Sequence, residues 1–480
     1  MATLALCILT LLQLSGGVAA ISGGTNDGSE RWGYVQVRPT LSLSPDSSIA
    51  FKAHLFWWYY RSPHRVSSPG KPWPTILWLQ GGPGGSGVGR GNFLEIGPLD
   101  VDLKPRNTSW LKKADLIFVD HPVGVGYSYA DDPSALATTD LQAATDAAEL
   151  IRALPGEIPA LKRSPLYLVG ESYGGKLAAI IGVSLTKSIR AGDLDLTLVG
   201  VVIGDGWISP ADFSLTYARL LDDVSRLDEN AIDDANNSSL IKSHSTHIRL
   251  AEKVSEQSAA GQFAASLQTL TGLLDLIDKS SGGVNIFNFL FNTSGVDLRV
   301  LAAEDKQKEV RGSPLMRFVG QDLSGSSGPN TIEGIMNGVI KEKLKIIPNN
   351  LVWQLATIAV FNALENEFMK PAINEVDELL SLGVNVTVYN GQRYTHTIEQ
   401  CELLICAMGL VGWNGLNDFF RVLREPMHYF CYPGHDSTAF RRIYKNLQYY
   451  WILEAGHVVP ADQPCVALNM IGNILQSEDV

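Results

Sequence analysis

The sequence predicts an α/β fold in which helices flank a mixed, mostly parallel central sheet. Three observations support this prediction: short apolar runs of strand length, helical patterns between them, and a composition rich in apolar residues and glycine. Of the 480 residues, 45% are hydrophobic and 18% are charged, while 45 are glycine and 23 are proline. Such a chain can bury a core and is not disordered. Its glycines and prolines suit strands and turns better than a helical bundle.

Six runs have the length and the apolar or β-branched character of buried strands: residues 75–79, 116–120, 166–169, 196–203, 384–389 and 447–453. Several are apolar throughout rather than alternating, which is typical of a parallel sheet covered on both faces. Helical patterns lie between them, for example over residues 139–154 and 174–187. This alternation of strands and helices predicts layers of helices on the sheet.

Residues 211–350 differ from the rest because they are rich in Ala, Leu, Ser, Asp and Lys at helical spacing. We interpret them as a helical cap inserted into the core rather than a separate domain in series. The predicted division is a signal peptide over residues 1–20, a first part of the core over 21–210, the cap over 211–350, and a second part of the core over 351–480.

The first twenty residues predict a secretory signal peptide. They hold an apolar run followed by small residues, with cleavage expected after Ala20. A buried N-terminal helix is the alternative, because the usual positive charge at the start is missing. No other run reaches the roughly 18 apolar residues needed to span a membrane. We therefore expect a protein of the secretory pathway, secreted or lysosomal/vacuolar, with no membrane span.

Asn-x-Ser/Thr sequons agree with that route, because they are glycan acceptors when exposed. They begin at Asn107, Asn236, Asn237, Asn292 and Asn385. The formal net charge of −12 disfavours a nucleic-acid binder that relies on a broad basic face.

Four of the five cysteines lie beyond the predicted signal peptide, at Cys401, Cys406, Cys431 and Cys465. They permit two disulfides in an oxidising compartment, and three pairings are possible. Their spacing is not that of a zinc site. We therefore predict no metal and no cofactor.

The sharpest local pattern is Gly-Glu-Ser-Tyr-Gly at residues 170–174, which follows an apolar strand and opens a helical segment. G-x-S-x-G alone is a weak signal, and an ordinary glycine-rich turn is the alternative. The strand–turn–helix context is what a nucleophile elbow of an α/β-hydrolase requires. Ser172 is therefore the predicted nucleophile, and a serine hydroxyl needs a base to become reactive.

His457 is the predicted base, because it lies just past an apolar strand near the C-terminus. That position suits the last member of the order Ser, acid, His that α/β-hydrolases follow. An oxyanion hole requires backbone donors, and we assign the N–H groups of Gly82 and Tyr173. A phosphate-binding loop is disfavoured because Pro83 removes a donor and no Gly-Lys-Ser/Thr follows.

Taken together, these segments resemble the serine carboxypeptidase family. The motifs that carry the resemblance are WLQGGPG at 78–84, FLEIGP at 93–98, FVDHPVGVGYSY at 118–129, GESYGGK at 170–176, GDGWISP at 204–210, VYNGQ at 388–392 and AGHVVPADQP at 455–464. The chain looks most like the retinoid-inducible and plant serine carboxypeptidase-like branch, which has Gln and Gly at positions 80 and 85.

The resemblance implies an α/β-hydrolase fold and a serine carboxypeptidase that releases C-terminal amino acids through an acyl-enzyme. The implied substrates are peptide or protein C-termini, and a homodimer is a possible assembly. By the same resemblance Gln80, Glu95 and Glu171 would bind the substrate's terminal carboxylate. A carboxyl group can donate a hydrogen bond to that carboxylate only while protonated, so we expect activity at acidic pH.

One position departs from the family pattern. The triad Asp would lie two residues after Gln392, where this chain has Tyr394. Glu399 and Glu402 are the candidate substitutes. Residues 393–412 do not match the family pattern, although the match resumes at Trp413. A mismatch over residues 393–412 after which the match resumes is typical of a compensated frameshift or a misread exon boundary.

Two alternatives to an active carboxypeptidase therefore stay open. The first is a catalytically impaired relative with a binding role, which the residue at position 394 favours. The second is an acyltransferase on the same scaffold. Glu171 argues against the acyltransferase, because such relatives favour Asp before the nucleophile.

Overall fold

The computed structural model describes residues 21–38, 52–66, 71–227, 240–292, 331–395, 413–432, 434 and 437–476. Several predictions fall outside the described residues and stay predictions. They concern the signal peptide over 1–20 and the sequons at Asn236 and Asn237. They also concern four residues of the segment 393–412, which does not match the family pattern: Glu399, Cys401, Glu402 and Cys406.

Twelve strands of the described residues form one sheet. They are β1 (Ile21–Gly24), β2 (Glu30–Gln36), β3 (Ala53–Tyr60), β4 (Thr75–Leu79), β5 (Asp115–Asp120), β6 (Tyr129–Ala130), β7 (Pro165–Glu171), β8 (Thr197–Gly204), β9 (Asn385–Gly391), β10 (Glu425–Met427), β11 (Ala439–Tyr444) and β12 (Leu447–Ile452). Their order is β1-β2-β3-β5-β4-β7-β8-β9-β12-β11-β10, with β6 paired to β3.

The helices within the described residues connect and cover these strands. They are α1 (Asp140–Glu157), α2 (Tyr173–Ala191), α3 (Pro210–Ser214), α4 (Tyr217–Asp223), α5 (Leu240–Ala259), α6 (Phe263–Ser280), α7 (Ile332–Ile335), α8 (Lys341–Leu344), α9 (Ile358–Ala363), α10 (Ile373–Ser381), α11 (Leu416–Arg421), α12 (Val459–Asp462) and α13 (Pro464–Leu475). Two segments, Gly87–Ile96 and Met336–Ile340, are π-helical.

The centre of the sheet is parallel and its margins are antiparallel. Adjacent strands from β5 through β4, β7, β8 and β9 to β12 all pair in parallel. Strands β1, β2, β3 and β6 on one side, and β10 and β11 on the other, pair antiparallel. The prediction of a mixed, mostly parallel sheet is therefore confirmed. The six runs predicted as strands correspond to β4, β5, β7, β8, β9 and β12.

Two apolar cores cover the two faces of the sheet. Along β3, Leu55 and Trp57 belong to one core, whereas Phe56 and Trp58 belong to the other, as the two-residue repeat of a strand requires. Helices α1, α2 and α10 contribute to the first core, and α13 contributes to the second. Burial on both faces explains why the central strands are apolar throughout.

The described residues within 211–350 are mostly helical and include one isolated β-bridge, between Val284 and Asn292. Helix α5 packs on both α6 and α3, and the apolar residues of α5 and α6 join the core that contains α2. The division into core and cap stays a prediction. No helix among the described residues is long and apolar enough to cross a membrane. A disulfide joins Cys431 to Cys465, with Cα atoms 5.7 Å apart.

Candidate active site

Ser172 lies in a sharp turn between β7 and α2. Its backbone has φ of 58° and ψ of −125°, a conformation that costs energy for a residue with a Cβ. The turn is held because the Ser172 N–H donates to the Gly204 carbonyl at 2.8 Å and its carbonyl accepts from the Trp207 N–H at 2.9 Å. This strained strand–turn–helix is the geometry of a nucleophile elbow.

The glycines on each side of Ser172 are required by close backbone contacts. A Cβ on Gly170 would lie 2.1 Å from the carbonyl oxygen of Gly174. A Cβ on Gly174 would lie 2.2 Å from the carbonyl oxygen of Leu79 at the end of β4. The G-x-S-x-G pattern therefore reflects a packing requirement within the elbow and against the neighbouring strand.

The glycine-rich loop after β4 comes directly against the elbow. A Cβ on Gly81 would lie 2.6 Å from the Cβ of Ser172 and 3.0 Å from its hydroxyl oxygen. The next residue, Gly82, has φ of 128°, which only glycine adopts readily. The structure thus brings the predicted oxyanion loop to the predicted nucleophile. Gly81 was missed at the sequence level, where the Gly-Gly pair was its only signal.

Three further contacts hold this loop in place. The Gly84 carbonyl accepts from the Thr357 N–H at 2.9 Å, and the Ser86 N–H donates to the Leu355 carbonyl at 3.0 Å. The Ser86 hydroxyl also donates to the buried carboxylate of Asp120 at 2.5 Å. The loop is therefore tied to β5 and to the segment before α9.

His457 follows β12 and is buried, with 2% of its surface exposed. Its backbone N–H donates to the Phe287 carbonyl at 2.8 Å. The centroids of the Phe287 ring and the imidazole lie 5.1 Å apart. The loop that carries His457 also packs on the end of β9, because a Cβ on Gly391 would lie 2.0 Å from the Gly456 carbonyl oxygen. These contacts position the predicted base beside the residues that follow β9.

Tyr394 is one of those residues, and its ring packs on the imidazole of His457. The two ring centroids are 4.3 Å apart at an interplanar angle of 44°. The phenol ring is buried and stacks on Phe287 at 6.0 Å. Next to it, the Thr395 hydroxyl donates to the Ile286 carbonyl at 2.7 Å. The position expected for the triad acid therefore holds an aromatic ring in contact with the base.

The three residues predicted to bind a substrate carboxylate are buried near the elbow. The Gln80 side-chain amide donates to Glu171 Oε1 at 2.8 Å and accepts from the Trp78 indole N–H at 2.8 Å. Glu95 pairs with Arg90 at 3.2 Å. Gln80 and Glu171 thus form one hydrogen-bonded unit directly next to Ser172.

The Tyr389 phenol lies within the electrostatic influence of both Glu95 and Glu171. Burial, followed by the charges of Glu171, Asp205 and Glu95, raises the pKa of the Tyr389 phenol well above its usual value. The phenol packs on β8, because a Cβ on Gly204 would lie 2.2 Å from its oxygen. The charges of Glu95 and Glu171 therefore both act on the same buried phenol.

Asp205 is a buried acidic residue at this site, and the sequence patterns did not predict it. It directly follows β8 and has φ of 43°. Its N–H donates to the Tyr389 carbonyl at 2.8 Å, and its Oδ1 accepts from the Gly391 N–H at 3.1 Å. Its carboxylate therefore links the ends of β8 and β9. The GDG motif at 204–206 was its only signal in the sequence.

The family model for serine carboxypeptidases matches residues 24–477. The chain belongs to the serine carboxypeptidase family. Serine carboxypeptidase-like 51 of Arabidopsis thaliana is 45% identical over 94% of this chain and 93% of its own length. The retinoid-inducible serine carboxypeptidase of Mus musculus is 37% identical over 98% of this chain and 96% of its own length. These relatives confirm the resemblance to the retinoid-inducible and plant branch.

The solved structure of a carboxypeptidase has the same fold. KEX1(delta)p, a prohormone-processing carboxypeptidase from Saccharomyces cerevisiae, superimposes with a TM-score of 0.71, covering 92% of this chain and 90% of that chain at 21% identity. The predicted α/β-hydrolase fold is therefore confirmed. The family model and the two relatives place the chain in a family of peptide hydrolases.

The sequons within the described residues lie at the surface of this serine carboxypeptidase fold. They begin at Asn107, Asn292 and Asn385, whose side chains are all exposed. Asn385 is the first residue of β9 and donates to the Val199 carbonyl at 3.1 Å, whereas Asn292 accepts from Arg226. Their exposure is compatible with glycosylation, which stays a prediction. No cluster suited to a metal ion occurs among the described residues.

Proposed function

We propose that this protein is a serine-type carboxypeptidase that removes single amino acids from peptide C-termini at acidic pH. The observation that carries this proposal is the Gln80–Glu171 pair, which adjoins a strained elbow at Ser172 on one side and a glycine loop on the other. A carboxylate-binding pair beside the nucleophile suits cleavage of the last peptide bond. An endopeptidase has no need of such a pair.

The chemistry follows the scheme for a serine nucleophile. Ser172 Oγ attacks the carbonyl carbon of the last peptide bond while His457 accepts its proton. The N–H groups of Gly82 and Tyr173 stabilise the resulting oxyanion. His457 then donates the proton to the departing amino acid. Water, activated by the same imidazole, hydrolyses the acyl-enzyme.

The acidic pH optimum follows from carboxyl chemistry. A substrate carboxylate that approaches Glu171 and Glu95 meets repulsion when these groups are ionised and a hydrogen-bond donor when they are protonated. Gln80 donates through its amide at any pH, but its amide nitrogen already donates one hydrogen bond to Glu171. Substrate affinity should therefore rise as pH falls toward the carboxyl range of about 4 to 5.

The predicted signal peptide and the exposed sequons support a protein of the secretory pathway, secreted or lysosomal/vacuolar and glycosylated. An acidic lysosome or vacuole matches the carboxyl chemistry at Gln80 and Glu171. A homodimer remains a further possible assembly of the chain.

A second function, binding without efficient hydrolysis, is favoured by one observation. Tyr394 lies against His457 where the family pattern has Asp, and a phenol ring does not supply the negative charge that stabilises an imidazolium. In this alternative, Ser172 and the Gln80–Glu171 pair would bind a peptide C-terminus without releasing its last residue.

Two matched substrates test the proposed function. The purified protein is incubated at about pH 5, within reach of the carboxyl pKa values, with an N-blocked dipeptide and with the same dipeptide as its C-terminal amide. We expect release of the last amino acid from the free acid and markedly slower cleavage of the amide. Equal cleavage of both would contradict carboxylate recognition. Binding of the free acid without release would favour the second function.

A further inference from the structure

We propose that the buried ion pair between Asp140 and Lys176 positions the backbone N–H of Tyr173 and thereby sets the rate at which Ser172 forms its acyl-enzyme. This inference rests on the proposed function, which assigns that N–H to the oxyanion hole. Neither Asp140 nor Lys176 touches the reacting atoms in this scheme. Both are positioning residues.

The contacts converge on the side chain of Tyr173. Its phenol donates to Asp140 Oδ1 at 2.5 Å. The other carboxylate oxygen, Oδ2, pairs with Lys176 Nζ at 2.7 Å, and the ammonium lies 4.8 Å from the centroid of the Tyr173 ring. Tyr173, Asp140 and Lys176 therefore form a closed triangle.

The triangle is buried and carries charge. Lys176 is 1% exposed and Asp140 is 5% exposed. Burial lowers the pKa of the Lys176 ammonium, and the charge and hydrogen bond of Asp140 oppose that shift. Desolvating two charges is costly, and apolar residues of similar volume are often as stabilising. A pair in this place therefore suggests a requirement for precise geometry.

Tyr173 occupies the position where such geometry matters. It is the first residue of α2, and the first N–H groups of a helix have no partner within the helix. Its N–H is therefore available to an oxyanion formed at Ser172. A side chain held at its far end by Asp140 restricts the tilt of this first turn, and so the direction of that N–H.

A neighbouring segment, residues 353–370, extends this anchoring to the other arm of the predicted oxyanion hole. Lys176 Nζ donates to the Glu367 carbonyl at 2.7 Å, and the ring of Phe368 stacks on Tyr173 at 5.9 Å. Thr357, in the same segment, donates to the Gly84 carbonyl at 2.9 Å. One segment thus holds both the helix start and the glycine loop.

A matched pair of substitutions tests the inference. Asp140→Asn breaks the pair at the start of α1. Asp146→Asn breaks a second ion pair on the same helix, in which the half-buried Arg38 contacts the buried Asp146 at 2.7 Å. Neither Asp146 nor Arg38 contacts Tyr173 or Lys176. The two variants therefore remove similar interactions, and only one lies at the oxyanion hole.

The readouts are the rate at which a fluorophosphonate labels Ser172 and the kcat and KM for an N-blocked dipeptide. Labelling forms an Oγ–P bond and releases fluoride, and it depends on the oxyanion hole without depending on peptide recognition. For Asp140→Asn we expect labelling and kcat to fall about 10- to 100-fold with KM nearly unchanged, because misplacement by about 1 Å can cost about 10² in rate. Asp146→Asn should match the wild type.

Several outcomes would overturn the inference. Wild-type rates in Asp140→Asn, or an equal fall in Asp146→Asn, would show that the pair serves stability alone. If Asp140→Asn does not fold, Tyr173→Phe removes only the phenol contact, and unchanged rates in that variant would have the same meaning. A wild-type protein that neither labels nor cleaves would overturn the proposed function, and this inference with it.

Discussion

The ring of Tyr394 packs against the imidazole of His457, with centroids 4.3 Å apart. In a serine hydrolase the acid orients the imidazole and stabilises its positive charge. Here the residue at the expected position offers a ring face. This ring, the Phe287 ring and the backbone hydrogen bond to the Phe287 carbonyl are contacts that hold His457.

Tyr394→Asp is expected to raise kcat by about 10² or more, since an acid-to-amide change in another protease costs about 10⁴. The new carboxylate would stand beside the base and stabilise its protonated form. Steady-state hydrolysis of an N-blocked dipeptide measures the change.

The control for that variant is Tyr394→Asn, which leaves a similar void and supplies no charge. It should not raise kcat. If neither variant changes kcat in an enzyme that is already fast, another residue supplies the acid. Equal gains in the two variants would mean that removal of the ring, and not the new charge, is responsible.

Gly81→Ala is expected to lower kcat by about 10² or more, comparable to the loss of an oxyanion donor. The added methyl would lie 2.6 Å from the Cβ of Ser172 and 2.8 Å from the Glu171 carbonyl oxygen. The loop or the elbow must therefore shift. Fluorophosphonate labelling of Ser172 gives a direct rate for comparison.

Gly272→Ala is the matched control, because a Cβ there has open space within 4 Å. Gly272 is exposed and lies inside α6, where alanine is favoured by up to about 1 kcal/mol. It should leave the labelling rate unchanged and raise the melting temperature slightly. A Gly81→Ala variant that labels as fast as Gly272→Ala would contradict the close approach.

Glu171→Gln is expected to remove most of the pH dependence of KM. An amide donates a hydrogen bond to the substrate carboxylate at any pH, whereas a carboxyl group does so only when protonated. Wild-type KM should rise between about pH 5 and pH 7, well above the usual carboxyl pKa, and the variant's KM should rise less. Parallel KM profiles in the two proteins would argue against Glu171 as a ligand of the substrate carboxylate.

Much of the core was predictable from sequence because its signals are local. Strands such as β4 and β7 are apolar throughout, and the elbow at Ser172 is marked by glycines on both sides. The Gly81 contact and the triangle of Tyr173 with Asp140 were not predictable. They join residues far apart in sequence, and each residue alone is typical of a loop or a helix start.

His121 makes a pH-dependent contribution to stability. The imidazole is buried, and its Nε2 lies 2.8 Å from the Ala143 carbonyl oxygen. Burial lowers the pKa of the imidazole to about 4, although the hydrogen bond to Ala143 acts to raise it. Because the folded pKa lies below the unfolded value of 6.5, the contribution is fully present above about 6.5 and is lost as pH falls toward 4. The full difference is about 3 kcal/mol.

The adjacent carboxyl group has the opposite dependence. Burial raises the pKa of Asp120 from 3.8 to about 6, so its contribution is present below about 3.8 and is lost as pH rises to 6. The two effects largely offset each other in the wild type between about pH 4 and pH 6.5.

His121→Gln should therefore gain stability relative to the wild type as pH falls. The unfolding free energies of the two proteins, measured by denaturant at about pH 4 and pH 7, give this difference. A variant-minus-wild-type difference that is the same at both pH values would contradict the assignment.

We propose that Ser172 carries out carboxypeptidase chemistry in this fold. The most direct measurement is release of the last amino acid from an N-blocked dipeptide at about pH 5, with the wild type and Ser172→Ala assayed in parallel. We expect release by the wild type and a loss of about 10⁶ in kcat for the variant, as when a serine nucleophile is removed. Equal release by both proteins, or none by the wild type, would contradict it.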